Sequence, residues 1–169
     1  MHDHNQVVYK YCPVCAAVLE LQLQMGEHHL TCPVCGWVYY EDPKVAVGVL
    51  LLRGREVLLV RRNMEPYLRD WTIPAGFVNA FEDPADAALR ECREETGLTV
   101  ELLGLLDMLT GREHRRGADI FIVYLARVVS GSLKAADDAD EAGWFPLDDL
   151  PQLAFESTKS VIAKARMLK

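Results

Sequence analysis

Three glutamates, Glu91, Glu94 and Glu95, stand at i, i+3 and i+4 within the stretch GFVNAFEDPADAALRECREETGL, Gly76 to Leu98. At about 100° per residue they share one helical face, where like charges a turn apart destabilise a helix by roughly 0.2–0.5 kcal/mol per pair. A solvated acidic face eased by Arg90 is the ordinary explanation. The chemical explanation is a site for a hard divalent cation, because carboxylates one turn apart converge on Mg2+ or Mn2+, which prefer oxygen ligands. In that reading Glu91, Glu94 and Glu95 are metal ligands and Arg90 orients a carboxylate or steadies a phosphate. Gly76 lets the backbone come close enough to offer a carbonyl, and Glu82 reaches the same place from the loop before the helix.

A second set of chemical residues lies near the N-terminus. Cys12-Pro-Val-Cys15 and Cys32-Pro-Val-Cys35 are two C-x2-C knuckles with sixteen residues between them. This spacing fits a four-thiolate zinc site, and the repeated CPVC argues against incidental buried cysteines. A closed four-cysteine site leaves no position for substrate, so its zinc is expected to be structural and to supply the folding energy that so small a module cannot draw from a core. His28 and His29 read as surface residues of the hairpin between the knuckles, and His2 and His4 as terminal residues.

Gly76, five residues, Glu82, seven residues, Arg90-Glu91, apolar Cys92, one residue, Glu94-Glu95, one residue, Gly97 and apolar Leu98 together resemble the Nudix box at every position. Asn79 and Phe81 depart from common usage nearby, where Glu and Gly are often found. The resemblance implies a Nudix α/β/α sandwich with a mixed sheet over residues 43–169, preceded by a zinc ribbon over residues 1–42. It implies hydrolysis of the pyrophosphate bond in a nucleoside diphosphate joined to another moiety, with Mg2+ or Mn2+ as cofactor and a small-molecule nucleotide as substrate. By motif position Glu91 and Glu95 are the main metal ligands, Glu94 assists, and Arg90 orients Glu91. The general base varies across the family between Glu91 and an acid on a later loop. In DDADEAGWF the candidates are Asp138 and then Glu141. The order zinc ribbon then Nudix domain is similar to the NADH pyrophosphatase group and its shorter relatives acting on FAD and ADP-ribose. The stretch after Leu98 lacks the SQPWPFPxS-like pattern of NADH pyrophosphatases, and no proline stands between Pro84 and Pro146.

Further candidates come from residue type alone. Phe77, with Trp71, Tyr39 and Tyr40, offers a ring for stacking on a base. Arg112, Arg115 and Arg116 in GREHRRGA, with His114 beside them, can clamp a phosphate or ribose, or form a basic solvated turn.

The elements that position these residues follow from pattern. VAVGVLLL, Val45 to Leu52, reads as a buried strand. Lys44–Arg53 and Glu56–Arg62 form a hairpin around Arg53-Gly54-Arg55. Trp71–Ile73 and Gly76–Val78 are short strands flanking Pro74. Asp83 caps a helix with Pro84 at its first position and Gly97 at its end. Leu98–Thr110 and Asp119–Ser130 are longer strands, Trp144–Phe145 is a late short one, Leu147–Leu150 is a helical turn, and Glu156–Leu168 is a closing helix.

The 169 residues, half of them apolar, suffice for one well-buried domain plus a small module. A net charge of −7 argues against non-specific nucleic-acid binding. No apolar run approaches a membrane span, no signal segment is apparent, and an odd fifth cysteine beside a metal pattern fits a reducing cytoplasm. Related enzymes are often dimers, so a homodimer is expected. Two other readings stay open: a nucleotide-sensing regulator whose zinc ribbon grips nucleic acid, and removal of nucleotide caps from RNA.

Overall fold

The computed structural model describes residues 9–114 and 117–167. The chain divides into two compact units, Met1–Asp42 and Pro43–Lys169.

In the first unit the two knuckles repeat one backbone turn. Cys12 N–H donates to the Ala17 carbonyl (2.8 Å) and Ala16 N–H to the Cys12 carbonyl (2.9 Å); Cys32 and Gly36 do the same at 2.7 and 3.0 Å. Each turn closes with a left-handed residue, Ala16 (φ +60°) and Gly36 (φ +76°). Between them β1 (Glu20–Gln24) and β2 (Glu27–Thr31) pair antiparallel across Met25-Gly26. Both turn residues have positive φ, the backbone that suits a two-residue hairpin. Among the described residues here, Cys12, Leu19 and Cys32 form the buried apolar cluster, with Ala17, Leu30 and Trp37 packed against it, too little to hold a fold unaided.

The second unit is built on a mixed sheet. It holds β3 (Val45–Arg53), β4 (Glu56–Arg62), β5 (Trp71–Thr72), β6 (Ala75–Phe77), β7 (Leu98–Thr110), β8 (Ile120–Gly131) and β9 (Ala139–Pro146). The path is β5-β4-β3-β8-β7, with β6 on β3 and β9 on β4; β3 and β8 run parallel and every other pair antiparallel. Helices α1 (Pro84–Thr96) and α2 (Glu156–Ala165) cover its two faces. Along β3, Val47, Val49 and Leu51 pack with Ala87, Ala88 and Cys92 of α1, whereas Leu50 packs with Val161, Ile162 and Ala165 of α2. A strand covered on both sides has no polar face to show, which explains its unbroken apolar run. The α/β sandwich implied by the Nudix-like box is therefore the fold observed.

Strands β3 and β4 pair only at Leu52 with Val57 and Arg53 with Glu56. Beyond the turn they part: β3 continues against β6 and β8, and β4 against β5 and β9. Their separated ends carry Ala46 on one side and Val60 and Arg62 on the other into a common cavity.

Three element boundaries differ by more than one residue from the sequence expectation. The late strand is not Trp144–Phe145 but the whole of Ala139–Pro146, because ADEAGWFP is drawn into the sheet by pairing along β4 rather than by its own apolar content. Leu147–Leu150 is a turn closed by Asp149 N–H on the Pro146 carbonyl (3.0 Å), not a helical turn. Helix α2 ends at Ala165, short of the expected Leu168, which lies outside the described residues.

Helix α1 begins and ends as expected. Asp83 accepts from Ala85 N–H (2.8 Å), Pro84 stands at the first position, and Gly97 (φ +70°) donates its N–H to the Arg93 carbonyl (2.8 Å). Replacing Asp83 with Ala is expected to lower unfolding free energy by about 1 kcal/mol, read from the urea midpoint at unchanged slope.

Candidate active site

Arg90 sits at the centre of the glutamate face. Its Nε and Nη2 donate to the two carboxylate oxygens of Glu82 (2.7 and 2.8 Å), and its Nη1 to Glu91 (2.6 Å) and Glu94 (3.1 Å). Nη2 also donates to the Phe77 carbonyl (3.0 Å). One guanidinium thus spans three carboxylates and ties the helix to β6. Glu82 accepts a further bond from Asn79 N–H (2.9 Å), and the two partners, Arg90 first, hold its carboxyl down at about 2. It backs Arg90 rather than lining the cavity.

Gly76 has a role beyond an open carbonyl. A Cβ there would lie 2.0 Å from the carboxyl carbon of Glu91 and 2.2–2.3 Å from its oxygens. The carboxylate of Glu91 rests directly on the glycine backbone, and no other residue leaves that space.

Glu95 is 6% exposed, and its carboxylate accepts from Ala75 N–H of β6 (2.9 Å). Burial pushes its carboxyl up to about 8, with Glu91, Asp138 and Asp137 adding to the rise and the Ala75 amide opposing it. Glu91 is also raised, by burial first, against the pull of Arg90. A carboxylate buried among other carboxylates is costly unless a cation joins it. The donor set fits a hard divalent ion in kind: Glu91, Glu94 and Glu95 of α1 offer oxygen ligands only, and they line an open cavity that Asp137 and Asp138 also line.

That cavity holds about 560 Å3. Gly76, Arg90, Glu91, Glu94, Glu95 and Asp138 form its acidic side, and Phe77 borders it. Met64 and Phe155, apolar, and Arg62 line it as well. Arg62 is half buried; desolvation lowers its pKa, against the pull of Glu95 and Asp138. Its Nε donates to the Pro66 carbonyl (3.0 Å) and its guanidinium lies 5.0 Å from the Phe155 ring.

Several expected residues stand elsewhere. Glu141 is on β9, paired with Arg61 at 2.9 Å and outside the cavity lining. The acidic stretch is thus only partly a loop, and strand alternation carries Glu141 away from Asp138. Arg112 is exposed, 3.6 Å from Asp119, and also outside the lining. His114 does line the cavity; Arg115 and Arg116 lie outside the described residues. Trp71 packs edge-on against Phe145, ring centroids 4.6 Å apart, as part of the core. Phe81 is fully exposed at φ +66°, a left-handed backbone that accounts for glycine suiting this position in related boxes.

The sequence reading missed Arg62, Asp137 and Glu113. Glu113 lines the cavity and accepts from Glu156 N–H (2.6 Å) and Ser157 N–H (2.9 Å). It thereby caps α2, whose own N-cap residue Phe155 provides no side-chain bond. A strand-end arginine among apolar residues was a signal for Arg62; a cap supplied from 43 residues away left none.

In the first unit the four knuckle sulfurs lie within 4.8 Å of one another. Cys12 and Cys35 Sγ are 3.5 Å apart and Cys15 and Cys32 Sγ 3.4 Å, far longer than a disulfide and close to the sulfur–sulfur edge of about 3.8 Å in a tetrahedral zinc site. The Cys35 N–H, 3.4 Å away, leads in lowering Cys32 to about 6, whereas Cys15 and Cys35 beside it are raised.

Residues 42–165 match the model of the NUDIX domain. The chain belongs to the Nudix family. An ADP-ribose pyrophosphatase of Methanocaldococcus jannaschii is 38% identical over 123 residues, 72% of this chain and 73% of that one. The NAD-capped RNA hydrolase NudC of Chromobacterium violaceum is 32% identical over 148 residues, 86% of this chain and 53% of that one; this chain spans about half its length. A solved Nudix hydrolase from Nitrosomonas europaea shares the fold, with a TM-score of 0.83 at 24% identity over 95% of this chain and 94% of that one. The expected class, a Nudix pyrophosphohydrolase, is the class these matches give.

Gly76→Ala is expected to lower kcat/KM about a hundredfold by displacing Glu91, with the circular dichroism spectrum and melting profile of the folded protein retained.

Proposed function

We propose that this Nudix enzyme hydrolyses the pyrophosphate bond of ADP-ribose or a related dinucleotide such as NADH or FAD, releasing AMP and a second monophosphate. The observation that carries the reading is one cavity lined by Glu91, Glu95 and Asp138 together with Arg62 and the rings of Phe77 and Phe155. That is the chemistry of a substrate with two charged phosphates between flat or neutral ends. The likeness to an ADP-ribose pyrophosphatase supports the substrate class.

Glu91, Glu94 and Glu95 would hold Mg2+ or Mn2+, which when bound neutralises the attacking and leaving oxygens. Arg90 and Gly76 keep Glu91 in place, and the Ala75 amide keeps Glu95 in place. To Asp138, which lines the cavity where Glu141 does not, we assign the proton of the attacking water. The water oxygen joins one phosphorus, the bridging P–O bond breaks, and the leaving phosphate keeps the bond's electrons. Arg62, in the cavity lining, meets phosphate charge there, the part expected of Arg112. Phe77, Met64 and Phe155 supply surface for a base or ribose.

A second reading is removal of an NAD cap from RNA. The match to the NAD-capped RNA hydrolase extends over 148 residues, more than the Nudix domain alone. The net charge of −7 counts against an RNA track. We assign the cysteine cluster to one structural Zn2+, making residues 1–42 a zinc ribbon, and we place the enzyme in the cytoplasm as a homodimer.

With Mg2+ or Mn2+, chromatography of products from ADP-ribose, NAD, NADH, FAD and nucleoside triphosphates is expected to show AMP from one dinucleotide well ahead of the rest. Glu95→Gln is expected to lower kcat at least a hundredfold; full turnover by that variant would sink the proposal. For the ribbon, Cys32→Ser is expected to abolish zinc release to a chromogenic chelator and to unfold residues 9–42. The melting transition of residues 43–169 should persist.

A further inference from the structure

Asn63 follows Arg62, the last residue of β4. It makes two hydrogen bonds to the Asp137–Asp138 turn. Its backbone N–H donates to the Asp138 carbonyl (3.2 Å), and its side-chain Nδ2 donates to the Asp137 carbonyl (2.9 Å). Asp137 stands at φ +56°, a left-handed conformation uncommon for a side-chain-bearing residue. The turn is closed by Ala139 N–H on the Ala136 carbonyl (3.1 Å) and tied to the glutamate helix by Ala136 N–H on the Glu95 carbonyl (3.2 Å). Just below it the β4–β9 ladder shifts register between Arg61 and Arg62, so that Arg62 faces Ala139. Two anchors therefore hold the acidic turn: the end of α1, which carries Glu95, and Asn63.

We infer that Asn63 is a positioning residue, clamping the Asp137–Asp138 turn so that Asp138 faces the reacting phosphates from a fixed place relative to Glu91 and Glu95. The backbone bond at 3.2 Å survives substitution; the side-chain bond does not. The side-chain amide is the only part of the clamp set by residue type, and it holds the carbonyl of the residue whose backbone is least at ease. Both bonds go to backbone carbonyls, so Asn63 fixes where the acids sit without altering their charge. Losing the amide lets Asp137 relax out of the left-handed region and turns Asp138 away from the cavity. Because proton transfer falls steeply with small displacements, the effect belongs in kcat. Substrate affinity rests on Arg62 and the apolar wall, which the clamp does not touch.

The inference rests on the pyrophosphohydrolase reading, with Asp138 as the proton acceptor. The test is a cycle of Asn63→Ala, Asp138→Asn and the double variant, assayed on the dinucleotide that the wild type cleaves best. Alongside it, amide hydrogen exchange is measured over residues 134–141. Asn63→Ala is expected to lower kcat about tenfold to a hundredfold, to leave KM within about twofold, and to speed exchange in that segment alone. Added to Asp138→Asn, it should lower kcat by less than about twofold further. An equal loss on both backgrounds, an effect confined to KM, or unchanged exchange would each overturn the clamp. Asp138→Asn with full turnover would overturn the role given to Asp138, and with it the clamp as a catalytic device. A wild type inactive on every dinucleotide would instead overturn the pyrophosphohydrolase reading, and exchange in Asn63→Ala would then decide the clamp by itself.

Discussion

The site depends on one cation. Arg90 binds Glu82, Glu91, Glu94 and a β6 carbonyl at once, all within 3.1 Å. Three carboxylates at that density would otherwise push the loop before α1 away from the helix. With Arg90 in the middle, loop, helix and strand become one rigid block, and the glutamate left without such a partner is Glu95. Its only bonded donor among the described residues is an amide. The apparent misfortune of like charges on one face is thus divided into two parts: a group tied together through Arg90 that holds shape, and a buried acid whose charge awaits something from solution.

The fold supports this by letting two neighbouring strands diverge. Strands β3 and β4 share only two residue pairs, and each then recruits other partners. Divergence opens the sheet where the block sits, and α1 and α2 seal the two faces with separate apolar clusters. The cavity is a product of strand pairing, and its depth does not require a missing side chain in the core.

Much of this is legible in the sequence. Asp83, Pro84 and Gly97 mark α1 because caps act locally. The spacing of Glu91, Glu94 and Glu95 is legible because a helix converts spacing into geometry, and the cysteine knuckles because their turns repeat. Strand β9 is not legible: ADEAGWFP has no alternation, and only β4 makes it a strand. Once it is a strand, Glu141 turns away toward Arg61 and the acidic loop shrinks to Asp137 and Asp138. Arg62 and Asn63 follow from that same pairing, so their parts are set by contacts about 75 residues distant that no local pattern records.

Glu113 joins the β7–β8 connection to the first amides of α2 through both carboxylate oxygens. The connection and the closing helix are thus bolted together, and the bolt has a fixed reach. Inserting or deleting a residue before Glu113 would draw it off the helix and take that wall of the cavity along. Drift in substrate range on this scaffold is therefore channelled toward exchanging side chains on a connection of constant span, and away from lengthening it.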